Sequence, residues 1–310
     1  VNSRKRLKIK TTITVKMTVL QANNHQQISI AIVGGGIAGL TLTVALLKHC
    51  PSITVTLYES ASAFGEIGAG VTFSTVMVRC MSLIDPRITA AFEKCNKGTT
   101  MTDPPVWFTV RVGDERKYRP NVKDQATSVE TASKKEPGWG QEAFVLPARR
   151  GPGGGVHRAY FLDELIKLVP DAVVQFRKKL VNVTEATDGS GLWKGYYALR
   201  KCRLSDYAQG DAVLHFADRT FAQHSAVLGC DGIKSRTRSL MLGDLKAAKA
   251  VFTGKYAYRG LVPMEKAAEL LGKDQTMTTQ MYIGYHAHIF TFPIANKTML
   301  NGKITNIKNT

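Results

Sequence analysis

The stretch from Ile28 to Glu59 constrains the fold more than any other part of the chain. Ile28 to Val33 is a continuous apolar run rich in β-branched residues, the composition of a strand buried on both faces. Gly34, Gly35 and Gly36 stop it, Ile37 to His49 reads as an apolar helix, and Pro51-Ser52 separates that helix from a second strand at Ile53–Tyr58. Strand, helix and strand in so short a span predict two parallel strands joined by a right-handed crossover. The turn carries Gly34-x-Gly36-x-x-Gly39, and Glu59 follows Gly39 by twenty residues. In that setting Gly34 permits the tight turn, Gly36 lets a phosphate approach bare backbone, and Gly39 lets the helix pack closely on the sheet. Free N–H groups at the helix N-terminus favour an anion. A carboxylate at the end of the second strand accepts hydrogen bonds from a ribose. A glycine pattern alone is weak, but between a strand and a helix and ahead of an acid it predicts a dinucleotide site. A carboxylate rather than a base at position 59 favours FAD or NAD over NADP.

The length, 310 residues, leaves room for about two domains. Hydrophobic residues at 44% and charged residues at 21% exclude a disordered, collagen-like or disulfide-scaffold chain. The formal charge is +18, and part of it sits at the ends: residues 1–16 hold six basic residues and no acid, and the last ten hold two more. A basic body suits anionic partners without choosing among them. No aromatic residues interleave with the basic head, so a disordered extension over residues 1–27 is expected rather than a nucleic-acid partner. Five scattered cysteines without a C-x-x-C pair argue for a reducing, cytoplasmic setting and against a metal site. Ile28 to Leu47 runs twenty residues without a charge, long enough to span a bilayer, but the three glycines at its centre break a lone helix and no membrane partner is expected.

Past Glu59 the signals are shorter. Residues 60–80 read as a glycine-bearing loop with Gly68-Ala69-Gly70, then a helix. Residues from about 98 to 155 are polar and rich in Lys, Pro and Gly, with an exposed insertion around Lys123 to Gly140. Phe161, Leu162, Leu165, Ile166 and Val169 recur at helical spacing, opened by Val156-His157-Arg158. An arginine in a first helical turn opposes the helix dipole unless an anion lies nearby. Val173–Phe176, Leu180–Thr184, Val213–Phe216 and Ser225–Cys230 read as strands, with a turn at Asp218-Arg219. The last of these ends in Asp231-Gly232, which presents a carboxylate at a sheet edge or simply makes a turn. From about residue 250 the pattern is mostly strand-like.

In this order GGGIAG, Glu59, GAG, HR-x-x-FLDEL and CDGIKSRTR resemble the FAD-dependent aromatic hydroxylases, the single-component flavoprotein monooxygenases. TGKYAYRGLVPM followed by GYHAHIFTFPI is similar to their salicylate hydroxylase-like branch. The resemblance covers residues 28 to about 299 and implies an α/β fold. A Rossmann-like, doubly wound FAD-binding domain would be interleaved with a mixed β-sheet substrate domain. It implies that Gly34, Gly36, Gly39 and Glu59 hold the ADP half of FAD, and that Gly70 and Arg158 add further FAD contacts. Asp231 and Gly232 would serve FAD and the passing NADH or NADPH, and Arg259 would face an aromatic substrate. The reaction implied is hydroxylation of a phenolic or benzoic acid with NAD(P)H and O2. A flavin-dependent oxidase or epoxidase on the same scaffold is the alternative.

Two departures from the family pattern stand out. Thr72 to Met81 lacks the Pro-Asn pair that opens the next helix, and no Gly-Asp-Ala-Ala-His motif follows. The expected organisation is therefore a FAD-binding domain over 28–245 with an exposed insertion at about 111–155. An incomplete substrate domain over 246–300 follows, then a tail over 301–310 that leaves the strand pattern and lies outside the family.

Overall fold

The computed structural model describes residues 28–64, 70–96, 106–114, 138–148, 153–185, 212–243 and 246–307. The basic head and most of the expected insertion lie outside them.

Four parallel strands form the first sheet, in the order β11 (Ala226–Gly229), β1 (Ser29–Val33), β2 (Thr54–Tyr58) and β7 (Val174–Gln175). Helix α1 (Ile37–His49) is the crossover between β1 and β2, as the sequence predicts. Because successive side chains of a strand point to opposite faces, β1 feeds two cores. Ile32, joined by Val55 and Leu57 of β2, packs toward α1, α2 (Thr75–Ile84), α3 (Pro86–Cys95) and α4 (Arg158–Ile166), where Phe73, Phe92 and Phe161 meet edge to face. Ala31, Val33 and Tyr58 face the other way.

That second face carries the first correction. It is covered not by helices, as a doubly wound sheet would be, but by an antiparallel sheet of β8 (Leu180–Glu185), β9 (Ala212–Phe216) and β10 (Phe221–His224). Its apolar side, Leu180, Val183, Leu214 and Phe216, closes on Ala31, Val33 and Tyr58. The Tyr58 hydroxyl lies 2.7 Å from His224 Nε2, and burial pushes the Tyr58 phenol up to about 12.

A six-stranded sheet forms the other layer, in the order β12 (Lys255–Pro263), β15 (Met299–Ile307), β14 (Ala287–Ile294), β13 (Gln280–Gly284), β4 (Val106–Val112) and β5 (Glu142–Pro147). Two expectations change here. Residues 111–112 and 142–147, within the stretch expected as an exposed insertion at about 111–155, belong to β4 and β5 of this sheet, β4 running parallel to β13. The stretch after 250 is mostly strand, as expected, with α6 (Met264–Leu271) and α7 (Lys273–Met277) between β12 and β13, and Met264 and Ala267 buried against Leu300. Residues 301–307 of the expected tail do not leave the strand pattern, because β15 is paired with β12 on one side and β14 on the other. Its buried positions include Asn301 and Thr305, so an apolar alternation is missing although the strand is present.

A two-stranded ribbon, β3 (Gly70–Phe73) with β6 (Gly154–His157), joins the layers. Helix α5 (Arg236–Leu242) follows β11. None of the described helices is long and apolar enough to cross a membrane.

Asp85, 2% exposed, caps α3 by accepting the Arg87 N–H at 2.9 Å. It also accepts from the Arg87 guanidinium at 2.8 Å and lies 3.5 Å from Lys48 Nζ. The Arg87 guanidinium holds the Asp85 carboxyl well below the usual carboxylate range. A depressed folded pKa stabilises above the unfolded value of about 4 and is lost as pH falls through and below it. Asp85→Ala is expected to cost about 1–2 kcal/mol near neutrality, mostly the cap, since the guanidinium is largely exposed. In urea unfolding the gap between the two proteins should narrow below about pH 4; a gap of constant size would contradict the assignment.

Candidate functional site

The carboxyl-terminal ends of β11, β1 and β2 converge on one crevice, where open parallel sheets place their ligands. Gly34 adopts φ +106°, and a Cβ there would stand 2.6 Å from the Cys230 carbonyl oxygen. Its N–H donates to the Tyr58 carbonyl at 2.8 Å, so this residue is clamped between the strands on either side of β1. A Cβ on Gly39 would collide with the Gly34 carbonyl oxygen. A Cβ on Gly36 would meet no atom within 4 Å. Gly36 is the N-cap of α1, which has no side-chain cap and no acid in its first turn. The first N–H groups of the helix therefore open onto free space beside Gly36.

Glu59 is fixed beside this loop. Its Oε2 accepts the Gly35 N–H at 2.7 Å, and its Oε1 accepts the Ala61 N–H at 2.8 Å and the Ser60 hydroxyl at 3.0 Å. The Glu59 N–H donates to the Gln175 carbonyl at 2.9 Å, which pins its backbone to β7. A carboxylate has about four lone-pair sites, so three internal bonds leave room for a hydroxyl donor.

Asp231 reaches the same crevice but turns its carboxylate inward. It accepts from the Arg236 N–H at 2.7 Å, the Thr237 N–H at 2.9 Å and the Ser235 hydroxyl, bonds that tie down the first turn of α5. Gly232 takes φ +76° with open space where a Cβ would stand.

The other three residues meet at a second place, the junction of the ribbon with the six-stranded sheet. The Gly70 N–H donates to Asn301 Oδ1 at 2.9 Å, and a Cβ on Gly70 would strike the Phe292 ring at 2.6 Å. Gly70 pairs with His157, and Arg158 follows as the first residue of α4. Burial lowers the Arg158 pKa, and the nearby charge of Arg259 lowers it further. Arg259 itself stands directly across from Lys303 on β15.

Sequence reasoning passed over Asn301 and quoted Phe292 and His157 only within motifs, without a role of their own. The His157 ring stacks on Tyr160 with centroids 4.1 Å apart, its Nδ1 is buried without a hydrogen-bond partner, and burial lowers its pKa. The signal for Asn301 and Phe292 is the sheet register, which spacing alone does not carry.

The glycines make unequal demands. Gly34→Ala is expected to destabilise the fold by roughly 1–3 kcal/mol from its left-handed backbone alone, with the Cys230 contact adding to that. Gly36→Ala should stay within about 1 kcal/mol of the parent, since only a cap preference is lost. Thermal unfolding of the two variants checks the difference, and equal losses would contradict it.

No protein-family model matches the chain. It is 37% identical over 281 residues to the FAD-dependent monooxygenase pigN of Monascus ruber, covering 89% of this chain and 53% of that protein. It is 36% identical over 292 residues to the salicylate hydroxylase asL1 of Sarocladium schorii, covering 91% and 52% respectively. Among solved structures, a salicylate hydroxylase substrate complex superposes with a TM-score of 0.61 at 21% identity, over 91% of this chain and 56% of that one. HpxO of Klebsiella pneumoniae complexed with FAD and uric acid gives 0.60 at 17% identity, over 91% and 57%. The chain thus spans about half the length of the curated relatives it matches. Over that span its relatives are FAD-dependent monooxygenases, a salicylate hydroxylase among them.

Proposed function

We propose that the whole protein is a FAD- and NAD(P)H-dependent monooxygenase that hydroxylates a phenolic or benzoic-acid-type aromatic substrate with O2. The observation that carries the reading is the cradle at Gly36. An uncapped helix N-terminus opens there onto free space, with the Glu59 carboxylate held at the same loop by the Gly35 N–H. Backbone N–H groups and the α1 dipole suit a pyrophosphate, and the remaining lone pair of Glu59 suits an adenosine ribose. These residues fit FAD.

When bound, the flavin supplies the redox and oxygen chemistry, and the protein supplies binding, orientation and charge. Gly34, Gly36 and Gly39 bring backbone to the phosphates, and Glu59 orients the ribose. Asp231 and Gly232 shape the same crevice from β11, the carboxylate by holding α5 in place. Gly70 fixes the ribbon to the second sheet, so Arg158 is presented beside Arg259. A cation of that kind pairs with a substrate carboxylate or phenolate, bidentately where both guanidinium nitrogens reach it. Relatives named for salicylate and 6-methylsalicylate favour an aromatic acid as substrate.

Titration of the purified chain with FAD, followed by quenching of flavin emission, tests the cofactor site. Glu59→Ala should weaken binding by about 1.5–3 kcal/mol, the worth of a hydrogen bond to a charged group. Gly36→Ala should weaken it while leaving the fold intact. Unchanged FAD affinity in both variants would overturn the site. Consumption of NADH and NADPH stimulated by salicylate over phenol tests the reaction in the whole protein.

A further inference from the structure

A cavity of about 350 Å3 lies where the β13–β14 hairpin meets the start of β12, at one end of the six-stranded sheet. The register decides which side chains it gathers. Ile283 stands across from His288, His288 across from Thr305, and Thr305 across from Ala257. These residues share one face, and Lys255 joins it two residues before Ala257. Lys255, Ile283, His288 and Thr305 line the cavity together with Met281 and Ala287. Arg259 shares the face but stands four residues from Lys255, about 13 Å along the strand, and is not among the described residues that line the cavity.

Its polar side is cationic. Thr305 is 8% exposed, and its hydroxyl is buried with no hydrogen-bond partner among the described residues. A buried hydroxyl without an acceptor is costly, and one beside a cavity is satisfied by what the cavity holds. Burial lowers the His288 pKa, and the charges of Lys303 and Lys255 lower it further. Among the described residues no carboxylate lies within salt-bridge distance of Lys255, Lys303 or His288. Asp114 faces the hairpin from beyond β4, where it accepts the Tyr285 N–H at 3.4 Å, and it does not line the cavity. The other walls include Met281, Ile283 and Ala287, with Ile283 left 46% exposed, and no Phe, Tyr or Trp among the described residues. A volume of this size suits a small molecule rather than a bare ion. A cationic end and an aliphatic wall suit an acid with an aliphatic body.

We infer that this cavity binds a small aliphatic carboxylic acid, a second ligand distinct from any aromatic substrate at Arg259. The carboxylate lies against Lys255, His288 and the Thr305 hydroxyl, and the aliphatic body lies on Met281 and Ile283. The site needs no flavin and does not rest on the flavin reading.

Calorimetric titration of the whole chain with hexanoate and with 1-hexanol tests this, two probes that share an aliphatic body and differ in charge. Saturable hexanoate binding is expected, with 1-hexanol weaker by about tenfold or more. A bound carboxylate favours the charged imidazole, so hexanoate should bind more tightly at about pH 5.5 than at about pH 7.5, ionised at both. His288→Leu should lose most of that difference, whereas His286→Asn, at the exposed turn, should keep it. Thr305→Val is the informative variant. It removes a buried hydroxyl that has no internal partner, so it should melt no lower than the parent, yet bind hexanoate about tenfold more weakly or worse. A merely structural hydroxyl would give the opposite pair of results. Lys255→Met, which keeps the stem and removes the charge, should also weaken hexanoate, and Arg259→Gln should retain it. Absence of saturable hexanoate binding, equal affinity for 1-hexanol, unweakened binding or a lowered melting temperature in Thr305→Val, or loss of binding in Arg259→Gln would each overturn the inference. Parallel FAD titrations separate it from the flavin reading. Loss of FAD binding with hexanoate binding intact rejects only that reading, and the reverse result rejects only this one.

Discussion

The crevice depends on one approach of backbone to backbone, Gly34 against the carbonyl of Cys230. With β1 between β2 and β11, the three strand ends reach one place only if the residue leaving β1 has no Cβ and tolerates positive φ. The same residue donates to the Tyr58 carbonyl, so the loop is tied to β2 as it passes β11. Once that is set, the two acids follow in fixed positions with different duties. Glu59 stays at the glycine loop with hydrogen-bonding capacity to spare. Asp231 spends its oxygens on the first turn of α5. A carboxylate that holds a helix start is an anchor.

A comparable contact joins the two layers. Gly70 and Gly155 on opposite strands of the ribbon both bring bare backbone against the Phe292 ring. Asn301 then fixes the Gly70 N–H, which explains a buried asparagine in the middle of a strand. Through this contact the start of α4 is carried to the face of the six-stranded sheet, and Arg158 arrives beside Arg259. Neither guanidinium is placed by its own element alone. Their proximity follows from how closely two glycines let the ribbon lie.

The unit from β1 to β2 was legible because each signal in it is local: a β-branched run, three glycines, an apolar helix and an acid at the next strand end. Its residues fall where the sequence puts them. The cover of the second face was not legible, since short alternating strands between 180 and 224 do not say which layer they close on. The stretch at about 111–155 reads as an insertion because it is mostly polar and the partner of β4, β13, lies far along the chain. The end of the chain misled for a different reason. β15 buries Asn301 and Thr305 and carries Gly302 and Lys303 mid-strand, so its identity comes from the two ladders that hold it rather than from periodicity. At the site, Gly34, Gly36, Gly39 and Glu59 could be argued from spacing. Arg158 and Arg259 could be marked singly, but their mutual repulsion is a property of the folded register.

That repulsion makes the distribution of charge informative as well as its sum. Arg158, Arg259 and Lys303 are held at one end of the ribbon, the last two directly across a strand pair where like charges cost stability. Among the described residues no carboxylate lies within salt-bridge distance of Arg259 or Lys303, although Asp85, Glu164 and Asp218 each have a basic partner elsewhere.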